Sequence, residues 1–444
     1  MKSKLNRFTP YLIGVILFFY CWNLYWGGKR WDGFFLSDSG GYYAYLPATF
    51  IYHDFSFAFI EGVQQKNFNN KAGYDFRSNY YGAGIDKWNC GTAVAIMPFF
   101  LAAHAITTWS GAVADGYSFW YAWGLNIAAV FYCLVGLLAL RKILLRYLKN
   151  ETLISFVLLL TVFATNLFYY ASSEPAMSHV FSFAFINLFV LSAMKVIDAE
   201  GRKYIPATGI LLGMIVLIRP VNGLVVCIIP FLAGSRDKFF AVIRGLLIEW
   251  KTSIVSLLFF ASILFIQLIF YKLETGSWFI YSYGEEKMNL LKPHLIDFLF
   301  SYKKGLFVYL PLTFLSMAGL IFLYRKNKWE FCALTIFIFA LFYIFSSWWS
   351  WWYGGSFGTR PMIEYLFATA ILLGIAIENL APAPKKIFIT LCLLCTLVCL
   401  VQTYQYRYYF IHWDKMNKER YWKVFMRVDL IAKKENPNAD LLKD

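Results

Sequence analysis

Long uninterrupted apolar runs constrain this chain more than any other feature of its sequence. A helix needs about 20 apolar residues to cross a hydrocarbon core of about 30 Å. The runs that approach or reach this length are 11–26, 119–140, 153–171, 176–194, 253–271, 305–324, 331–348, 362–377 and 387–403. A further pair, 205–218 and 221–234, is short for spanning. Because the runs are continuous rather than alternating, they predict helices.

Composition agrees with this interpretation. Of the 444 residues, 59% are apolar and only 15% are charged. A chain of this kind lacks the polar surface that a soluble globule needs. The sequence therefore predicts an all-α polytopic membrane protein.

The net charge of +15 could suggest a nucleic-acid partner, but the distribution of the charge argues against one. Lys and Arg cluster in alternate short loops, such as "RKILLRYLKN" and "RKNK", and the intervening loops are poorer in them. This is the pattern of the positive-inside rule, by which the basic loops are cytoplasmic. We expect a multi-pass membrane protein whose basic loops are cytoplasmic, and no nucleic-acid partner.

The run 92–109 is long enough to cross, yet a crossing there would place the later basic loops outside. We therefore expect an interfacial helix that lies in or dips into the outer leaflet. The predicted bundle then has about eleven transmembrane helices, and 27–118 forms a large outer loop carrying interfacial helices.

The chain divides at the end of its last apolar run. Residues 1–405 are predicted to form one transmembrane domain whose first helix is retained, because no small-residue cleavage site follows "MKSKLNRFTPYLIGVILFFYCW". Residues 406–444 form an aromatic and basic extramembrane tail, which suits an interfacial helix.

Several motifs together resemble the bacterial integral-membrane glycosyltransferases of the GT-C fold, the superfamily of aminoarabinose transferases and protein O-mannosyltransferases. The segments that carry the resemblance are "SDSGGYYAYLP", "EPAMSH", "GMIVLIRP", "KKGLFVYLP" and "WWYGGSFGTRP". The resemblance implies a GT-C-like bundle that transfers a sugar from a polyprenyl-phosphate-linked donor to an acceptor glycan, lipid or protein. It also implies a location in the bacterial inner (cytoplasmic) membrane, with the active site on the periplasmic side.

Asp38 is the candidate general base, because it follows the first apolar run at the start of the outer loop. A phosphate leaving group is already stable as an anion, so one carboxylate can suffice for sugar transfer. The alternative interpretation is that Asp38 only caps a turn or the following helix. Tyr42 and Tyr43, in the same motif, are candidate substrate-binding residues.

Two further carboxylates of the outer loop, Asp54 and Glu61, could bind acceptor hydroxyls. With His53 they could also hold a divalent metal ion, although "HDFSF" is more typical of a turn at the membrane surface. No other cofactor is predicted.

Six other residues are candidates for substrate binding. Glu174 and His179 stand at the outer end of two spans, where an ionisable pair suits either a functional site or a helix cap with a satisfied histidine. Arg219, Lys303, Lys304 and Arg360 lie at outer ends of apolar runs and could bind the donor phosphate. Snorkelling towards lipid head groups is the alternative for these cations.

Two other classes of function remain open at this point. A transporter or lipid flippase would also suit a bundle with the broken 205–234 hairpin. A non-catalytic envelope scaffold would use 406–444 to dock on a partner.

Overall fold

The computed structural model describes residues 6–25, 31–68, 75–198, 201–433 and 435–442. This part of the chain is mainly α-helical. Its one β-hairpin pairs β1 (Arg77–Tyr80) with β2 (Ala83–Asp86), and Arg77 lies opposite Asp86. In chain order the helices are α1 (Thr9–Tyr25), α2 (Asp38–Pro47), α3 (Phe59–Phe68), α4 (Gly91–Trp109), α5 (Phe119–Tyr147), α6 (Glu151–Phe163), α7 (Leu167–Ser172), α8 (Ser178–Ile197), α9 (Ile205–Ile218), α10 (Ile229–Ala233), α11 (Arg236–Ile248), α12 (Trp250–Thr275), α13 (Leu295–Phe300), α14 (Leu306–Tyr309), α15 (Pro311–Ser316), α16 (Ala318–Lys326), α17 (Lys328–Ser346), α18 (Leu366–Asn379), α19 (Pro382–Arg407), α20 (Lys418–Val424) and α21 (Val428–Lys433).

Seven helical segments of the described chain are long and apolar enough to cross a membrane. They are Gly91–Trp109, Phe119–Tyr147, Ser178–Ile197, Trp250–Thr275, Lys328–Ser346, Arg360–Asn379 and Pro382–Arg407. Four shorter apolar segments accompany them: Thr9–Trp22, Glu151–Phe163, Ile205–Ile218 and Pro220–Ala233. The chain is therefore an all-α protein with the helices of a multi-pass membrane protein.

The apolar run 305–324 is not one helix, which corrects the sequence-based expectation of a single span. It forms the three short helices α14, α15 and α16. The first break falls at Leu310, which has φ −128° and ψ 64° and precedes Pro311. A residue before proline is disfavoured in the α conformation, and the proline has no N–H to continue the helix.

Helices α4 and α5 pack antiparallel. The Tyr132 hydroxyl donates to the Ala95 carbonyl at 3.0 Å, and Tyr121 reaches His104 at 2.6 Å near the other end of α4. At 1.5 Å per residue, α5 continues about 15 Å past the level at which α4 begins. Helix α4 therefore lies beside only one part of α5.

Helix α9 is only 14 residues long, about 21 Å, and packs against α8 and α12. Its last residue, Ile218, meets the first residue of α4, Gly91, and a Cβ at Gly91 would overlap the Ile218 backbone nitrogen. This close approach requires glycine. The next residue, Arg219, therefore lies at the junction of two helix ends, in the interior of the bundle.

The segment after α19 folds back onto the bundle. The Gln402 side chain donates to the Tyr421 hydroxyl at 2.7 Å, and the Gln405 side chain donates to the Val424 carbonyl at 2.5 Å. The predicted extramembrane tail is therefore three short helical segments packed on the same chain, Lys418–Val424, Val428–Lys433 and Ala439–Leu442.

Candidate functional site

A cavity of about 1590 Å³ opens where the short helices end. Its wall combines the start of α2, the α7–α8 loop, the α9 tip, α12, the 348–360 loop and the segment after α19. Six residues predicted from the sequence line it: Asp38, Tyr42, Glu174, His179, Arg219 and Arg360. Four motifs that are far apart in the sequence therefore meet at one cavity.

Asp38 is the first residue of α2, and close packing of that helix determines its position. A Cβ at Gly40 would lie 2.6 Å from the Phe35 carbonyl oxygen, so glycine allows the helix start to approach that segment. The Asp38 carboxylate accepts a hydrogen bond from Arg360 Nη2 at 2.6 Å, across 322 residues of sequence. This is a long-range ion pair, and both side chains keep part of their surface exposed.

Arg219 is held from its buried side by Glu364. Arg219 Nη1 lies 2.5 Å from Glu364 Oε1, and His179 Nδ1 lies 2.8 Å from the same oxygen. The Glu364 side chain is fully buried, whereas 16% of the Arg219 side chain is exposed. A buried carboxylate beside a guanidinium offsets the cost of burying either charge alone. Glu364 thus orients Arg219 at the cavity wall.

A chain of polar contacts ties Glu364 to the 205–234 hairpin. Glu364 belongs to the 3₁₀ helix Arg360–Tyr365, which also carries Arg360. The Tyr365 hydroxyl donates to Asn222 Oδ1 at 3.2 Å, and the Asn222 side chain donates to Ser182 Oγ at 3.3 Å. Arg219 and Arg360 are therefore positioned by one connected framework.

Glu364 was not predicted as a site residue, because the sequence places it inside the apolar run 362–377. The sequence feature that could have identified Glu364 was the apolar run itself. Burying a lone carboxylate within a membrane-length apolar run costs free energy unless the carboxylate has a partner, and this one follows an arginine by four residues.

Glu174 lies in the loop between α7 and α8 and lines the cavity. The Tyr169 hydroxyl donates to its Oε1 at 3.0 Å. Burial raises the pKa of Glu174 to about 7, and the Arg360 guanidinium only partly offsets this effect. Glu174 can therefore carry a proton near neutral pH.

The two predicted lysines lie beside the cavity rather than on its wall. Lys303 Nζ is 3.2 Å from Asp414 Oδ1 and 3.6 Å from the centre of the Trp352 ring. The buried Lys304 ammonium donates to the Ser356 carbonyl, and burial lowers the pKa of Lys304 to about 7. The structure therefore places neither lysine on the cavity wall, and their binding of the donor phosphate stays a prediction.

Three other predicted substrate-binding residues lie away from the cavity. Tyr43 is buried and donates its hydroxyl to the Gly116 carbonyl. Asp54 accepts from Ser56 Oγ at 2.6 Å, as the residues of a local turn do. Glu61 is largely exposed and lies 3.5 Å from Arg77. The structure therefore does not bring these three predicted residues to the cavity.

Within the described ranges, no group of three or more His, Cys, Asp and Glu side chains is arranged to hold a metal ion. His53 adopts a left-handed backbone conformation, φ 51°, at the end of its helical turn.

Compared with known protein families, curated proteins and solved structures, the chain has no match.

Proposed function

We propose that the protein is an integral-membrane glycosyltransferase of the GT-C type that uses a polyprenyl-phosphate-linked sugar. The observation that supports this most is the meeting of the Asp38 carboxylate and the Arg219 guanidinium at one cavity between membrane-length helices. Sugar transfer from a lipid phosphate needs a base for the acceptor and a cation for the departing phosphate. The cavity supplies both.

The proposed reaction is a single displacement. The acceptor oxygen attacks the anomeric carbon, and its proton passes to Asp38. The bond between the anomeric carbon and the phosphate oxygen breaks, and its electron pair leaves with the polyprenyl phosphate. Arg360 binds Asp38 Oδ2, so we assign the proton to Oδ1. A single displacement inverts the anomeric configuration.

Arg219 is the residue that we assign to the donor phosphate. Glu364 engages Nη1, and a guanidinium presents further N–H groups in a planar fork that suits phosphate oxygens. Apolar side chains next to Arg219 offer a path for a prenyl chain, and those on the cavity wall include Val216, Leu217, Leu264 and Leu268. The phosphate would be held in the bundle while its chain stays among apolar groups.

The proposed topology keeps eleven crossings, with the site on the periplasmic side of the bacterial inner membrane. Helix α4 begins about 15 Å short of the basic end of α5, which supports a helix that dips into the outer leaflet without crossing. The remaining long helices, the shorter apolar segments and the broken run 305–324 then make up the bundle.

The first test is Asp38→Asn, with Glu61→Gln as the matched control outside the cavity. In membrane vesicles that contain a labelled polyprenyl-phosphate sugar and native envelope acceptors, we expect Asp38→Asn to lower transfer at least 100-fold, because general-base catalysis contributes on this order. Glu61→Gln should transfer at the wild-type rate. Label movement from the lipid extract to the acceptor fraction is the measurement.

Full transfer by a folded Asp38→Asn protein would overturn the assignment of the base. Movement of intact labelled lipid between leaflets, without transfer of its sugar, would favour a flippase instead.

A further inference from the structure

One section of the cavity wall has no role in the proposed displacement reaction. It is formed by Tyr409, Trp413 and Asp414 from the segment after α19, and by Trp349 and Trp352 from the 348–360 loop. We call these five residues the aromatic wall. Trp349 is 50% exposed and Trp413 is 44% exposed, although both line a cavity that also contains charged groups. Large aromatic faces are thus left open next to polar groups.

The turn that carries Trp413 is held by hydrogen bonds to the buried His412. His412 is 2% exposed, and its Nδ1 accepts hydrogen bonds from the backbone N–H groups of Asp414 and Lys415, both at 3.0 Å. The imidazole also stacks on the Trp413 ring, with centroids 5.0 Å apart and an interplanar angle of 29°. The indole face is therefore held in place before any ligand arrives, which lowers the entropic cost of binding.

The last residues of the chain hold this turn against the cavity. Asn436 Nδ2 donates to the Tyr409 carbonyl at 2.9 Å, and Asn438 Nδ2 donates to the Phe410 carbonyl at 2.7 Å. Asn438 is fully buried. Such specific side-chain contacts to the backbone are typical of a built structural element rather than of a loose tail.

The aromatic wall also has charged groups at its edge. Asp414 pairs with Lys303 at 3.2 Å, and Lys303 lies over the Trp352 ring. About 30% of the Asp414 side chain stays exposed. A carboxylate acceptor and an ammonium donor thus stand beside two indole rings.

We propose that the aromatic wall is the acceptor subsite and that it binds a carbohydrate. This rests on the proposed function and narrows the acceptor to a glycan. A pyranose ring has a face of C–H groups that packs on an indole and a rim of hydroxyls that hydrogen-bond to groups such as Asp414 and Lys303. A belt of tryptophans at a membrane interface would face lipid. The aromatic wall faces a cavity shared with Asp38.

The test uses oligosaccharide binding, measured without the donor. The full-length protein in lipid nanodiscs, free of glycoside detergent, is titrated with chitotriose, maltotriose and mannotriose, and intrinsic tryptophan fluorescence and saturation-transfer NMR are recorded. We expect the wild-type protein to bind at least one of these probes. Trp413→Ala should weaken that binding about tenfold, the loss expected for one aromatic stacking contact. Trp413→Phe should retain most of it.

Trp422→Ala is the matched control, because Trp422 lies in the same segment, is 52% exposed and is not among the cavity-lining residues. Failure of the wild type to bind any of the three probes, or an equal loss in Trp422→Ala, would overturn the subsite. Polyprenyl-phosphate lipid bound to the same preparations should be unaffected by Trp413→Ala. Oligosaccharide binding by a protein that holds no such lipid would leave the subsite standing and count against the proposed donor.

Discussion

At the scale of single residues, Glu174 gives the cavity a dependence on pH. Burial raises its pKa from an ordinary value of 4.5 to about 7, so the folded state binds a proton that the unfolded state has lost between these values. The stabilisation is fully present below about pH 4.5 and disappears as pH rises through about 7. We expect Glu174→Gln to remove this part of the pH dependence.

The measurement is the thermal unfolding midpoint of wild type and Glu174→Gln between pH 5 and 8, in one lipid or detergent. The difference between the two proteins should change between pH 5 and about pH 7 and level off above it. A constant difference would show that Glu174 does not titrate there.

Individual residues in and around the cavity also show how much of the site could be predicted from the sequence. Asp38 was predicted as the base at the start of the outer loop and Arg219 as a cation at the end of an apolar run, and both line the cavity. Nothing in the sequence indicated which of Tyr42 and Tyr43 would line the cavity, although successive residues of a helix point about 100° apart. Only Tyr42 faces the cavity. Glu364 was missed because it lies inside the apolar run 362–377 and its partners are distant in sequence.

At the scale of elements, the contact between α4 and α9 determines where Arg219 lies. Gly91→Ala places a methyl group against the backbone of Ile218, where no flexible side chain can yield. Overpacking of this kind costs about 1–3 kcal/mol. We expect Gly91→Ala to lower the thermal unfolding midpoint clearly.

Gly245→Ala is the matched control, because Gly245 lies within α11 and a Cβ there meets nothing within 4 Å. Alanine is the better helix former, so this variant should be neutral or slightly stabilised. Equal midpoints for Gly91→Ala and wild type would contradict the close helix contact.

Helix type and most helix positions were predictable from the apolar runs, since a run of membrane length has few alternatives to a helix. The positions at which helices break were harder to predict. Pro311 gave a local signal for the end of α14, whereas the 3₁₀ helix Pro220–Ile228 and the folding back of the segment after α19 depend on distant contacts. Membrane-spanning helices can be predicted from the local sequence, whereas tertiary packing determines which residues form the cavity wall.

At the scale of the whole molecule, the bundle brings a carboxylate, two arginines and an aromatic wall to one cavity of about 1590 Å³. They come from four segments of the chain, at Asp38, at Arg219, in the 348–360 loop and after α19. The central claim is that this cavity holds a polyprenyl phosphate with its head group on Arg219.

The most direct test is mass spectrometry of the lipids that co-purify with the wild type, Arg219→Lys and Arg77→Lys. Arg219→Lys keeps a positive charge beside Glu364 but loses the fork geometry, and Arg77 is a control on the β-hairpin outside the cavity wall. We predict polyprenyl phosphate or its glycosylated form in the wild type and Arg77→Lys, and about tenfold less in Arg219→Lys, a difference of about 1.4 kcal/mol in binding. Extracts that contain only bulk phospholipid, or equal amounts of polyprenyl lipid in all three proteins, would contradict the account.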